Sequence, residues 1–252
     1  MPGAVLSEIV EESIRMITLN RPGRLNAVNG ELLRDLLHVL TESNADPQTR
    51  VVILRGAGRA FSSGDDLKDF ENQTSSEAGL RSFIEQYQAV SREILYSPKI
   101  VIAAVHGWAV GGALEWIINC DFTIFSTETR CFFPEISYGL FVTGAVTTLL
   151  TKQIGPQRTK ELIILGEKFG ADRALALGIA GKTVELTDLE GTALELARKI
   201  CERPKQSVSD LKRVVNQAYH LDLEQAMTLE TDAAVRGFLD PSTADRITKA
   251  AV

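Results

Sequence analysis

The chain has 252 residues, 44% of them hydrophobic and 24% charged, and a formal net charge of −6. That is the profile of a globular protein with a sizeable core, and the acidic balance argues against nucleic acid as its main partner. No apolar run reaches the roughly 18 residues that a membrane-spanning helix takes, and the start, "MPGAVLSEIVEES", has no basic region followed by an apolar one, so neither a membrane nor a targeting segment is expected. Cys120, Cys131 and Cys201 share no CxxC spacing, and His38, His106 and His220 form no HExxH, so no metal site is expected and a reducing, cytoplasmic compartment is the default.

Taken in chain order, "AVLSEIVEESIRMITLN" reads as two short strands around "EES". "RPG" then breaks the pattern. "NGELLRDLLHVLTES" places Leu32, Leu33, Leu36, Leu37 and Leu40 on one helical face. "VVILRG" is a continuous apolar run of buried-strand length, followed by the loop "AGRAFSSGDDL". "GLRSFIEQYQAVSREILYS" is a second amphipathic helix, with Phe83, Tyr87, Val90 and Ile94 near one face and Pro98 just beyond its end. "IVIAAVHG" is another buried strand, "GGALEWIIN" a helix, and "CDFTIFS" and "CFF" further strands. Helices are expected at about 144–153, 156–165 and 171–177, and "GKTVEL" as a last strand. Strands and helices alternate for about 185 residues, which argues for an α/β fold. From 186 onward the chain is mostly helical, the sort of tail that packs on a neighbouring subunit.

Two places share one layout of buried strand, glycine-containing loop and helix start: "VVILRGAGRAFSSGDDL" and "IVIAAVHGWAVGGALEW". Amides in the first turn of a helix have no partner within it, and the helix dipole there favours negative charge. Gly64 and the pair Gly111-Gly112 let the backbone approach a ligand. If the two corners converge, one amide from each can hold a single oxygen, forming an oxyanion hole. Taken one at a time, both corners read better as plain turns, with Ser62 or Ser63 as the cap of the first. Glu115, one turn into the second helix, and Glu135, next to Pro134, are acids embedded in low-charge stretches beside these corners. A carboxylate in an apolar pocket has a raised pKa and can both give and take a proton near neutrality.

The segments "NRPGRLNAVN", "AFSSGDDL", "GWAVGGALEWIINCDF", "FPEISYGL" and "GEKFGADRALALGIAGKTVE", in this order and spacing, resemble the signature segments of the crotonase (enoyl-CoA hydratase/isomerase) superfamily. The resemblance covers essentially the whole chain and is weakest over the last 15 or so residues. It implies a crotonase-like spiral of ββα units over residues 1–185 and a C-terminal helical, trimerising region over 186–252, in a homotrimer or dimer of trimers. It also implies a coenzyme A thioester as substrate, with no separate cofactor. Carried over, the oxyanion-hole amides fall on Ser63 and Gly112 and the catalytic acids on Glu115 and Glu135. Glu115 would help activate a water for attack at C3, and Glu135 would deliver a proton to C2. Arg24, Ala27, Ser63, Gly64, Asp65, Asp66, Leu67, Val110, Gly111, Gly112 and Pro134 would line the acyl-CoA site, with Asp66 a structural cap of the first loop and Arg24 either meeting a phosphate or standing as a solvated surface arginine. The activity implied is reversible syn addition of water to a 2-trans-enoyl-CoA, giving a 3-hydroxyacyl-CoA. A Δ3,Δ2-enoyl-CoA isomerase, an aromatic or branched acyl-CoA hydratase-lyase and a non-catalytic CoA-binding scaffold are the alternatives.

The chain departs from the family pattern after Glu135. It has "GLFVTGAVTTLL" where a Gly-Pro-rich stretch is usual, with Thr143 as the expected helix cap and with Phe141, Val142 and Val146 bulkier than the pattern. These residues either reshape the acyl pocket or pack in the core. "FSSGDDL" is close to a variant of some family isomerases, but those carry an acid near positions 142–144, where this chain has none. RNA-binding members use a lysine-rich helix, whereas "LRSFIEQYQAVSREILYS" has no lysine.

Overall fold

The computed structural model describes residues 3–68 and 76–250. A hairpin of β1 (Val5–Glu11) and β2 (Ile14–Leu19) leads through a 3-10 turn (Pro22–Arg24) to α1 (Gly30–Ala45) and β3 (Val51–Gly56). Next come α2 (Glu77–Leu95), β4 (Ile100–Val105), β5 (Trp108–Val110) and α3 (Gly112–Asn119). After β6 (Phe122–Ser126) and β7 (Arg130–Phe132) there is a second 3-10 turn (Glu135–Tyr138). Then follow α4 (Val146–Ile154), α5 (Pro156–Leu165), β8 (Phe169–Gly170), α6 (Ala171–Ala176) and β9 (Lys182–Val184). The chain closes with α7 (Leu189–Cys201), α8 (Lys205–Ala218), α9 (Leu223–Leu239) and α10 (Pro241–Ala250).

The larger sheet has the order β1-β2-β3-β4-β6-β9, and the smaller one β5-β7-β8. Apart from the β1–β2 hairpin, the larger sheet is parallel throughout. Its strands read as unbroken apolar runs because both faces are covered. Ile17, Leu19, Val52, Leu54, Val101, Ala103 and Val105 turn toward a core shared with α1, α2 and α3. Their neighbours Met16, Val51, Ile53, Ile100, Ile102 and Ala104 turn the other way, onto Leu189, Ala193 and Ala197 of α7. The helix just past position 185 is thus part of the layer that covers the sheet. In α9 and α10, by contrast, Leu223, Phe238, Leu239 and Ile247 stand exposed.

α1 begins where the Asn29 side chain accepts from the Leu32 amide, and its buried stripe is Leu32, Leu33, Leu36 and Leu40. α2 begins where Ser76 accepts from the Gly79 amide, and it buries Tyr87, Val90, Ser91 and Ile94. Short β5 is not expected from sequence. It matters because its other edge meets the loop that follows β3. The Ser62 amide donates to the Trp108 carbonyl at 2.9 Å and the Val110 amide to the Ser62 carbonyl at 3.1 Å. The same loop is held from the opposite side, where the Val28 amide donates to the Gly64 carbonyl at 2.8 Å and the Asp66 amide to the Val28 carbonyl at 2.9 Å.

Asn26 locks this arrangement. It is fully buried in a left-handed conformation (φ +54), and its side-chain amide reaches the carbonyls of Ala57, Ala60 and Phe61 at 2.9–3.1 Å. Its Oδ1 accepts from the Arg21 amide at 2.8 Å. Asn26→Ala would strand these groups away from water. A destabilisation of about 1–3 kcal/mol is expected for such a loss, read as a lower urea midpoint at unchanged m-value.

Candidate active site

The two strand-to-helix corners lie side by side. Gly64 (φ +80) approaches β5 so closely that a Cβ there would sit 3.0 Å from the Val110 carbonyl oxygen, a place and a conformation that only glycine fits well. Beyond the bridge between Ser62 and Ala109, the two corners lead to Asp65 and to Gly112. Both line one cavity of about 190 Å³, together with Leu67, Phe83, Tyr87, Glu115, Glu135, Phe141 and Thr143.

This geometry corrects the expected pair of oxyanion donors. The amide of Ser63 donates to the Leu25 carbonyl at 2.9 Å, so it is committed to the scaffold, and Ser63 does not line the cavity. Among the described residues, neither the Asp65 amide nor the Gly112 amide at the start of α3 has an acceptor. The amide left free at the first corner is therefore that of Asp65, two residues further on. Ser62 caps the loop: its hydroxyl donates to the Asn26 carbonyl at 2.8 Å and accepts from the Gly64 amide at 3.2 Å.

Glu115 projects from the first turn of α3 and is 1% exposed. Its carboxylate accepts from the Thr143 amide at 2.9 Å and from the Gly144 amide. These amides are aimed by a left-handed Ala145 (φ +66) at the entry to α4. The same contact explains the glycine at 144, where a Cβ would lie 2.7 Å from Glu115 Oε2. Thr143 is therefore no helix cap. α4 starts at Val146 with Ala145 in the cap position and no side-chain bond, and the backbone at 143 and 144 serves the acid instead.

Glu135 opens the 3-10 turn after Pro134, and its Oε2 is buried without a partner. Its Oε1 faces Gly111 (φ +55), where a Cβ would be 2.5 Å away. Burial is the main reason that both acids hold their protons more tightly than usual. Glu115 is pushed up to about 8 and Glu135 to about 7, and each is raised further by neighbouring carboxyls. Both acids thus titrate close to neutrality, where a single proton can be shared between them, and the two amides on Glu115 hold its pKa below what burial alone would give.

The remaining expected residues divide. Asp66 lines the cavity but is tied to the scaffold: Arg21 Nη1 and Nη2 reach its Oδ2, both at 3.1 Å, and its Oδ1 accepts from the Lys68 amide. Asp65 carries a further carboxyl into the cavity, with Oδ1 buried and unpartnered and its pKa raised by burial. Leu67 is half exposed at the mouth. Arg24 is exposed and Ala27 buried, and neither lines the cavity, nor do Val110 and Pro134. Val142 and Val146 belong to the main core, whereas Phe141 is exposed at the cavity edge, so the two readings of that segment each hold for part of it. Tyr87 reads in the sequence as one more core position. Its ring stacks on Trp116 with centroids 4.6 Å apart, which draws Trp116 toward the site as well. Among the described residues no group of three His, Cys, Asp or Glu is placed to hold a metal.

Two acids poised near neutrality, beside unpaired amides from two converging corners, define an acid–base enzyme site for a carbonyl-bearing substrate. A family model described as "Enoyl-CoA hydratase/isomerase" matches residues 10–241, and the chain belongs to that family. The short-chain-enoyl-CoA hydratase of Clostridium acetobutylicum is 32% identical, covering 94% of this chain and 91% of its own. The crotonyl-CoA hydratase of Syntrophomonas wolfei is 31% identical over 88% of this chain and 85% of its own. The crystal structure of an enoyl-CoA hydratase from Bacillus anthracis superimposes with a TM-score of 0.92 at 29% identity, covering 97% of this chain and 95% of that one. The fold is the crotonase fold.

Proposed function

We propose that this protein is an enoyl-CoA hydratase that adds water to a 2-trans-enoyl-CoA with a short acyl chain, giving the 3-hydroxyacyl-CoA. The observation that carries this reading is the shared cavity of Glu115, Glu135 and the Asp65 and Gly112 backbones. Its volume lies below the roughly 300–1,000 Å³ of sites for drug-sized ligands, which suits an acyl group of few carbons. The relatives that share the family and most of the chain carry hydratase names.

In this mechanism the two amides polarise the thioester carbonyl and draw electron density from C3. In the form of the pair that has its one proton on Glu135, the Glu115 anion, met by the Thr143 and Gly144 amides, takes a proton from water as the water oxygen bonds to C3. The C2–C3 π pair moves toward the thioester oxygen, where the amides stabilise the enolate. Glu135 gives its proton to C2, and the enolate collapses to the thioester. The net addition is one water, and the proton gained by Glu115 passes back to Glu135, the carboxylate that Glu115 senses electrostatically. The thioester and two acids supply the chemistry, so no further cofactor is called for.

Arg24 and Ala27 are proposed to flank the coenzyme moiety outside the acid-bearing cavity, with Gly64, Val110, Gly111 and Pro134 forming the wall behind it. The exposed apolar residues of α9 and α10 are proposed to pack on other copies of the chain, as a trimer or dimer of trimers. α7 stays with the sheet, so the assembling part of the 186–252 region is its later half. A cytoplasmic setting fits three free cysteines, and no helix among the described residues is long and apolar enough to cross a membrane.

The test is direct. Purified protein mixed with crotonyl-CoA is expected to abolish the absorbance of the conjugated enone, with 3-hydroxybutyryl-CoA as product. No decay with crotonyl-CoA or longer 2-enoyl-CoAs, together with conversion of a 3-enoyl-CoA, would replace the hydratase by the isomerase.

A further inference from the structure

We propose that the hydroxyl of Tyr87 is a third donor to the thioester oxygen, set between the amides of Asp65 and Gly112. This inference rests on the enoyl-CoA reading of the site and adds a side chain to its two backbone donors.

Tyr87 is 4% exposed, lines the cavity, and its hydroxyl has no hydrogen-bond partner among the described residues. A buried hydroxyl without an acceptor is uncommon and calls for a reason. The hydroxyl lies directly over Gly112: a Cβ built there would overlap the hydroxyl oxygen and the ring carbon that bears it. The glycine at 112 therefore makes room for a phenol as well as exposing an amide. The ring cannot easily swing away, because Trp116 stacks on one side (25° between planes) and Phe83 meets its edge with centroids 6.0 Å apart.

The Asp65 carboxyl lies within electrostatic reach of the Tyr87 hydroxyl and interacts with it, but the geometry makes no full hydrogen bond, and Asp65 Oδ1 and the Tyr87 hydroxyl are both left unpartnered. Burial, and then the surrounding carboxyls of Asp65, Glu115 and Glu135, hold the phenol well above its usual pKa. It therefore stays protonated wherever the enzyme works and can only give a hydrogen bond to an oxyanion. A thioester oxygen between the Asp65 and Gly112 amides supplies the missing acceptor. The donor also answers an electrostatic need, since Asp65, Asp66, Glu115 and Glu135 all line the cavity and no lysine or arginine among the described residues does.

Tyr87→Phe tests this with little change of shape, as the stack on Trp116 is kept. Loss of one oxyanion donor lowers kcat by about 10²–10³-fold in well-studied cases, and a fall of this order is expected with crotonyl-CoA while KM changes little. A second readout needs no turnover. Butyryl-CoA labelled at the carbonyl carbon, bound to the wild-type protein, is expected to show a thioester stretch shifted to lower frequency than in water, and the variant is expected to lose part of that shift. A variant with wild-type kcat, or with raised KM and unchanged kcat, overturns the proposal, as does an equal shift in both proteins. If the wild type shows no shift, the thioester reading falls and Tyr87 with it. Equal thermal melting of the two proteins shows that a loss of rate does not come from unfolding.

Discussion

Glu135→Gln is expected to lower the rate of crotonyl-CoA hydration by about 10²–10⁴-fold, the range for a positioned proton donor, while butyryl-CoA binding measured by calorimetry stays close to that of the wild type. The split follows from the geometry. Glu135 lines the cavity and its Oε2 has no partner to lose, and Gln is nearly isosteric, so the pocket keeps its form. What disappears is the titratable proton that must reach C2. Glu115→Gln is expected to fall in the same range for a different reason: the amide can still accept from Thr143 or Gly144, but it cannot take a proton from water. The two acids act on one water in one addition, so the double variant should be little slower than the worse single one. Turnover unchanged in Glu135→Gln would remove this residue from the mechanism and leave the hydratase assignment with a single acid.

Much of this site is legible in the amino-acid sequence because its main signals are local. Runs such as "VVILRG" and "IVIAAV" announce a sheet buried on both faces, and both corners and both acids follow directly from them. What fails is finer than one turn of chain. The amide on offer is that of Asp65 and not Ser63 because the segment around Leu25 pairs with the loop and takes the Ser63 donor, a contact between residues 38 positions apart that no local pattern encodes. Thr143 looks like a cap before a helix, yet Glu115, 28 residues away, captures its amide. Tyr87 sits at a core position by helical spacing, and only its place over Gly112 separates it from Val90 and Ile94. β5 is three residues long, too short for its period to register, though it joins the two corners. In each case the missing information is a partner distant in sequence, while the residue type itself is plain.

The native state is expected to lose stability as pH rises from about 4.5 to about 8, and Glu115→Gln to remove much of that loss. The sign follows from proton linkage. Unfolded, the Glu115 carboxyl releases its proton near 4.5, whereas in the folded protein it does so at about 8 because burial penalises the charge. Between those values the folded state binds more protons than the unfolded one, so unfolding becomes easier with each step upward in pH. Below about 4.5 the carboxyl is neutral in both states and costs nothing. Above about 8 the full penalty applies: at about 1.4 kcal/mol per pH unit, the shift corresponds to a few kcal/mol. Glutamine carries no charge to desolvate and still presents an oxygen to the Thr143 and Gly144 amides. Chemical denaturation at pH 5 and pH 9 should therefore give nearly equal stabilities for the two proteins at the lower pH and a clear advantage for the variant at the higher one. Glu135, raised to about 7 for the same reason, leaves a smaller pH dependence in the single variant, which Glu135→Gln added to it should flatten further. Parallel curves for wild type and variant across this range would mean that Glu115 is hydrated or paired in solution, and a carboxylate in that state would be a poor base for a water held against an apolar wall. The stability that the wild type gives up at neutral pH is in this sense the same free energy that keeps its two acids ready to exchange protons there.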